Sequence, residues 1–160
     1  MEQERTLDKS RGPGWEEQKR TLAQLALQAR ENDYAPYSHW AVGAALLAEG
    51  GGVFCGCNVE NAAYGPTNCA ERTALFSAVA QGKRRFLAIA IAGGTQGQAP
   101  SGFCPPCGVC RQALAEFCGQ EFPVLFVKGE GEVQRHTLGE LLPFSFSLTG
   151  QEGGESHAHV

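Results

Sequence analysis

The chain has 160 residues, of which 42% are hydrophobic and 19% charged, with a formal net charge of −4 and a sequence pI of about 5.6. That length suits one domain with a substantial core, and the acidic balance lacks the basic footprint of a general nucleic-acid binder or of a protein docking on an anionic membrane. No run of about 18 apolar residues is present to span a bilayer. Residues 1–14 are charged and carry no apolar secretory segment, so a cytoplasmic protein with a small soluble ligand is expected.

Residues 1–13 and 147–160 read as flexible tails flanking a domain over 14–146. The second tail is rich in Gly, Glu, Ser and His, and nothing in it fixes His157 and His159 into a metal site. Residues 15–30 predict a helix with Trp15, Leu22, Leu25, Ala26 and Ala29 on one face, and Pro36 opens a turn after it. The apolar segments 40–48 and 53–57, joined by Glu49-Gly50-Gly51-Gly52, predict a hairpin. An Ala-rich helix over 69–81 is closed by Gly82, and the continuous apolar run 87–92 reads as a buried strand. A helix over 108–117 closed by Gly119 and a hairpin of strands 123–128 and 133–137, turning at 129–132, complete the order. Strand–helix–strand steps imply parallel crossovers, which gives a three-layer α/β/α architecture around a mixed five-stranded sheet.

Seven cysteines is an odd count for a disulfide framework, and in a reducing compartment they serve metal ligation, catalysis or burial. Pro106-Cys107-Gly108-Val109-Cys110 supplies two thiols one helical turn apart at a predicted helix start, and Cys69 stands at the start of another. Helix N-termini favour thiolates, so two of them aimed at one point converge three thiolates on one Zn²⁺ per subunit. Three protein ligands leave a fourth position open, the arrangement of a catalytic zinc. Arg72 is placed to donate hydrogen bonds to a ligand sulfur. Glu71, in the first turn with Cys69, is a carboxyl beside the metal, suited to moving protons. The pattern C-x-E followed about 36 residues later by P-C-x-x-C is a zinc-deaminase signature. The alternatives are a closed structural site with Cys104 as a fourth ligand, or an iron–sulfur run, which Leu114 contradicts because that spacing wants a Cys there. Cys55, Cys57 and Cys118 read as buried small hydrophobes.

Further motifs stand in a fixed order: Tyr34-Ala35-Pro36-Tyr37-Ser38, Val42-Gly43-Ala44-Ala45-Leu46, Asn58-Val59-Glu60-Asn61-Ala62, Cys69-Ala70-Glu71-Arg72, Pro106-Cys107-Gly108-Val109-Cys110-Arg111-Gln112 and Leu141-Leu142-Pro143. Over residues 34–146 the chain resembles cytidine deaminases of the small homotetrameric class. The resemblance implies hydrolytic deamination of cytidine and 2′-deoxycytidine, with Glu71 as proton shuttle and the base edge held by the Ala70 main chain and the Cys107 region. It implies that Asn58 and Glu60 bind the ribose hydroxyls, and that Ala62, Tyr64 and Phe146 complete a neighbouring subunit's pocket in a homotetramer. Read from the residues alone, Asn58 is an ordinary turn residue, and Tyr64 and Phe146 are ordinary core aromatics. Trp40 stands where this class carries Phe, still able to stack on a pyrimidine, and Pro105 stands where it often carries Ser. Two rival readings are a deaminase of the same fold acting on another cytosine-bearing molecule, and a structural-zinc module without turnover.

Overall fold

A computed structural model describes residues 14–148. The expected tail over 1–13 and residues 149–160 of the one over 147–160, including His157 and His159, lie outside the described residues. Helix α1 (Trp15–Ala29) passes into a 3₁₀ turn (Arg30–Asn32), then β1 (Trp40–Ala48) and β2 (Val53–Cys57) form the hairpin. There follow α2 (Ala70–Ala80), β3 (Phe86–Thr95), α3 (Gly108–Phe117), β4 (Pro123–Val127), a second 3₁₀ turn (Gly129–Gly131), β5 (Val133–Thr137) and the short α4 (Leu138–Leu141). The sheet order is β2-β1-β3-β4-β5, with β3 and β4 parallel and the other neighbours antiparallel. The crossover through α3 joins those two parallel neighbours, while the one through α2 passes over β1.

The three layers follow from the two-residue period of a strand. Ala44, Leu46, Ile89, Ile91, Val124 and Phe126 face α2 and α3, packing on Ala74, Leu75, Ala78 and Leu114. The alternate residues Ala45, Leu47, Ala88, Ala90, Leu125 and Val127 face α1 and meet Trp15, Leu22 and Ala26. The one thiol expected in the core that departs from it is Cys55, which is exposed, with Cys57 half-buried and Cys118 buried as expected. Both Cys55 and Cys57 sit on the α1 side of an edge strand, whereas α1 packs chiefly over β1 and β3.

Two glycines set how the helices dock. A Cβ on Gly43 would lie 2.1 Å from Ala26 O and 2.4 Å from Arg30 N, so α1 rests its backbone directly on β1. On the other face, a Cβ on Gly56 would lie 2.4 Å from Ala70 O and 2.5 Å from Ala74 N, so α2 rests on β2 in the same way. Backbone cannot rotate aside as a flexible side chain can. Gly56→Ala is therefore expected to lower stability by about 1–3 kcal/mol, the usual cost of overpacking, while displacing the first turn of α2. Thermal melts should show the loss beside Gly52→Ala, whose added Cβ would meet only Phe54 at an ordinary 3.6 Å. Equal melts for the two variants would refute the backbone contact.

Candidate metal centre and active site

Cys69 and Cys107 are the N-cap residues of α2 and α3, both in extended conformation, and neither side chain is spent on a capping hydrogen bond. The expected start of the first helix at Cys69 thus moves one residue on, because Cys69 caps it. Cys110, one turn into α3, is fully buried. The Sγ atoms of Cys69, Cys107 and Cys110 all lie within 4.8 Å of one another, and Cys69 and Cys107 are 3.7 Å apart. Three thiolates at about 2.3 Å from a tetrahedral Zn²⁺ stand roughly 3.8 Å apart, so the donor set and its spacing fit that ion. Among the described residues Cys104 does not join the group, which removes the support for a closed four-thiol site.

The surroundings favour thiolate. Arg72 Nη2 donates to Cys69 Sγ at 3.3 Å, and Arg72 Nε is buried without a partner. A hydrogen bond from the Cys110 thiol, with help from Arg72 and Cys107, pulls Cys69 down to about 5 against the opposing effect of burial. The same bond, together with burial, holds Cys110 above the usual thiol range, so the pair ionises first at Cys69. Glu71, the second residue of α2, is only 4% exposed. Its Oε2 accepts from Cys110 Sγ at 3.7 Å. Burial pushes the Glu71 carboxyl up to about 7, and the neighbouring Cys69 charge adds to the rise.

Asn58 ties the start of β1 to the chain after β2. Its Oδ1 accepts from Val42 N at 2.9 Å, and its Nδ2 donates to Trp40 O at 2.7 Å. The amide keeps one N–H beyond these bonds. Glu60 Oε1 accepts from the main-chain N–H groups of Tyr37 and Ser38, each at 3.1 Å, and hydrogen bonds from Ser38, side chain first, hold its carboxyl below the usual range. A cleft of about 430 Å³ lies here, lined by Tyr37, Ser38, Glu60, Asn61, Tyr64 and Thr67. Trp40 opens β1 and is 45% exposed, whereas Ala70 is fully buried in the first turn of α2.

Tyr64 and Phe146 do not pack in the core, against the reading of them as core aromatics. They are 81% and 67% exposed, and Phe144 is wholly exposed. Tyr64 and Phe144 also sit at positive φ, 60° and 56°, a conformation costly for a bulky residue. Ala62 is exposed on the same loop as Tyr64. Gln112 Nε2 donates to Phe146 O at 3.0 Å, and Arg111 donates to Pro106 O at 2.8 Å and Leu141 O at 2.7 Å, so α3 carries both the metal loop and the C-terminal segment. Sequence reasoning missed Arg30, which is 4% exposed and donates to the carbonyls of Ala41 (3.3 Å), Thr95 (3.0 Å) and Gln98 (2.8 Å). No sequence signal marks such a clamp, since its acceptors are main-chain atoms brought together only by the fold.

Comparison with known proteins agrees with this geometry. The family model described as the cytidine and deoxycytidylate deaminase zinc-binding region matches residues 16–126. A cytidine deaminase of Sporosarcina psychrophila is 50% identical over 120 residues, 75% of this chain and 85% of that one. One from Halalkalibacterium halodurans is 48% identical over 126 residues, 79% of this chain and 92% of its own. The crystal structure of cytidine deaminase from Burkholderia pseudomallei has a TM-score of 0.71 at 49% identity, covering 79% of this chain and 97% of that one. That from Mycobacterium tuberculosis has a TM-score of 0.68 at 39% identity, covering 86% and 100%. With a zinc-binding match over most of the domain, relatives near half identity and a thiol triad of the right spacing, the chain belongs to the cytidine and deoxycytidylate deaminase family.

Proposed function

We propose that the protein hydrolyses cytidine and 2′-deoxycytidine to uridine and 2′-deoxyuridine, releasing ammonia, in the cytoplasm. The observation that carries this reading is a buried carboxyl, Glu71, in contact with a thiol triad held at two helix N-termini. Cys69, Cys107 and Cys110 would hold Zn²⁺, which would supply the Lewis acidity that activates a water. Glu71 takes a proton from the attacking water and passes it to N3 of the base while the water oxygen bonds to C4. It then takes the proton of the new C4 hydroxyl and delivers it to the exocyclic nitrogen, the C4–N bond breaks, and ammonia leaves as the carbonyl forms. Arg72 donates to Cys69 and offsets the charge the sulfurs concentrate.

In this reading the Trp40 ring forms a wall for the pyrimidine, the Ala70 main chain and the Cys107 region hold the base edge, and Asn58 and Glu60 take the ribose hydroxyls. The pinned Glu60 oxygen and the remaining Asn58 N–H support it, because both groups are oriented before the ligand arrives. The exposed Tyr64, Phe144 and Phe146 support a homotetramer in which Ala62, Tyr64 and Phe146 reach a neighbour's pocket. Among the described residues no helix is long and apolar enough to cross a membrane.

The test is loss of cytidine absorbance with matching ammonia release, run on a nucleoside panel beside light-scattering size. Cytidine turnover by a tetramer is expected, with full activity after truncation at Thr149 and a large loss after truncation at Pro143, which removes Phe144 and Phe146. A protein inert towards cytidine and deoxycytidine would sink the substrate reading. An active monomer, or full activity of the shorter chain, would remove the shared pocket.

A further inference from the structure

Trp40 and Cys104 are far apart in the chain, and neither is explained by the metal cluster. Val42 of β1 stands opposite Gly93 of β3, one side-chain repeat from the Trp40–Thr95 pair, so Trp40 and Gly93 belong to the same end of the sheet. A Cβ built on Gly93 would lie 2.5 Å from Cys104 Sγ, 2.7 Å from Cys104 Cβ and 3.3 Å from Trp40 Nε1. The missing Gly93 side chain therefore leaves a notch that the Cys104 thiol fills and that the indole edge borders. Burial raises the Cys104 thiol, and a hydrogen bond from the Trp40 side chain opposes the rise. Cys104 stands three residues before Cys107, on the loop that enters α3, and its carbonyl-side neighbours Pro105 and Pro106 stiffen that approach. The other end of the indole residue is also fixed: Trp40 O accepts from Asn58, and Trp40 N donates to Ser38 Oγ at 3.1 Å.

We propose that Cys104, seated in the notch of Gly93, is a positioning residue that fixes the plane of the Trp40 indole through an N–H···S contact and so sets the nucleoside pocket's wall. This rests on the reading of Trp40 as that wall. The thiol acts on substrate only through Trp40, and it holds no metal. Its effect accordingly falls on binding rather than on proton transfer, since Glu71 lies on a different element.

The experiment is a double-mutant cycle of Cys104 and Trp40 with steady-state kinetics on cytidine and zinc analysis of each purified holoenzyme. Cys104→Ala is expected to raise KM about fivefold, in the range of one modest hydrogen bond, with kcat and zinc content within about twofold of wild type. Cys104→Ser keeps an acceptor for the indole N–H and is expected to restore KM to near the wild-type value. In a Trp40→Phe background, which has no N–H to anchor, Cys104→Ala is expected to add nothing. A KM rise of the same size in both backgrounds, or Ser no better than Ala, would show that Cys104 only fills space and would overturn the proposal. An inactive wild type would instead strike the deaminase reading itself, so the two failures are distinct.

Discussion

Glu71→Gln is expected to abolish nearly all turnover while leaving the fold and the zinc in place. The amide fills the same buried volume and does not add a charge, so the surrounding α2 packing is undisturbed; Glu71 is only 4% exposed and sits between Ala70 and Arg72 in the helix's first turn. What the amide lacks is an exchangeable proton site of carboxyl character. General acid–base help is worth about 10²–10⁴-fold, and one residue serving several transfers should reach the upper end of that range. Steady-state kinetics, far-ultraviolet circular dichroism and metal analysis on the same preparation decide the matter. Retention of more than about a tenth of wild-type activity would contradict a carboxyl that moves protons at every step.

Cys107→Ala should strip the metal. Outer partners of a metal ligand typically control about 10–100-fold in affinity, so removing a ligand itself should cost more than about 100-fold. Cys104→Ala should leave the zinc content at about one per chain, because Cys104 is outside the group of sulfurs that lie within 4.8 Å of one another. Zinc measured after dialysis against a weak chelator separates the two. Equal loss from both variants would mean a closed four-thiol site and would return the structural-zinc reading.

Much of this was legible in the residues. The bounds of α3, β2 and β5 follow from apolar runs closed by Gly119, Gly52 and the turn at 129–131, since glycine and a two-residue alternation are local signals. The metal triad was legible for a related reason: Cys107 and Cys110 are neighbours in one turn, and Cys69 and Cys107 stand at the starts of two expected helices. The expected runs 87–92 and 15–30 missed their true ends because β3 continues to Thr95 along β1 and because Arg30 turns into a 3₁₀ step to reach three carbonyls. Asn58 was a turn residue by local logic, and it is partly that: its amide closes the strand end at Trp40 and Val42. Cys55 was misplaced because alternation tells which face a strand residue takes but not whether a helix lies over an edge strand. Contacts between distant segments leave no periodic trace.

The two bare rungs of the β1–β2 hairpin have an evolutionary meaning. Gly43 and Gly56 stand on adjoining pairs of that ribbon, facing opposite sides. The distance from α1 to α2 across it is thus fixed by main-chain thickness, and no side chain acts as a shim. Exchanges of volume among the leucines and isoleucines that pack on α2 must be taken up toward its far end, because its first turn, with Cys69 and Glu71, rests main chain on main chain at Gly56.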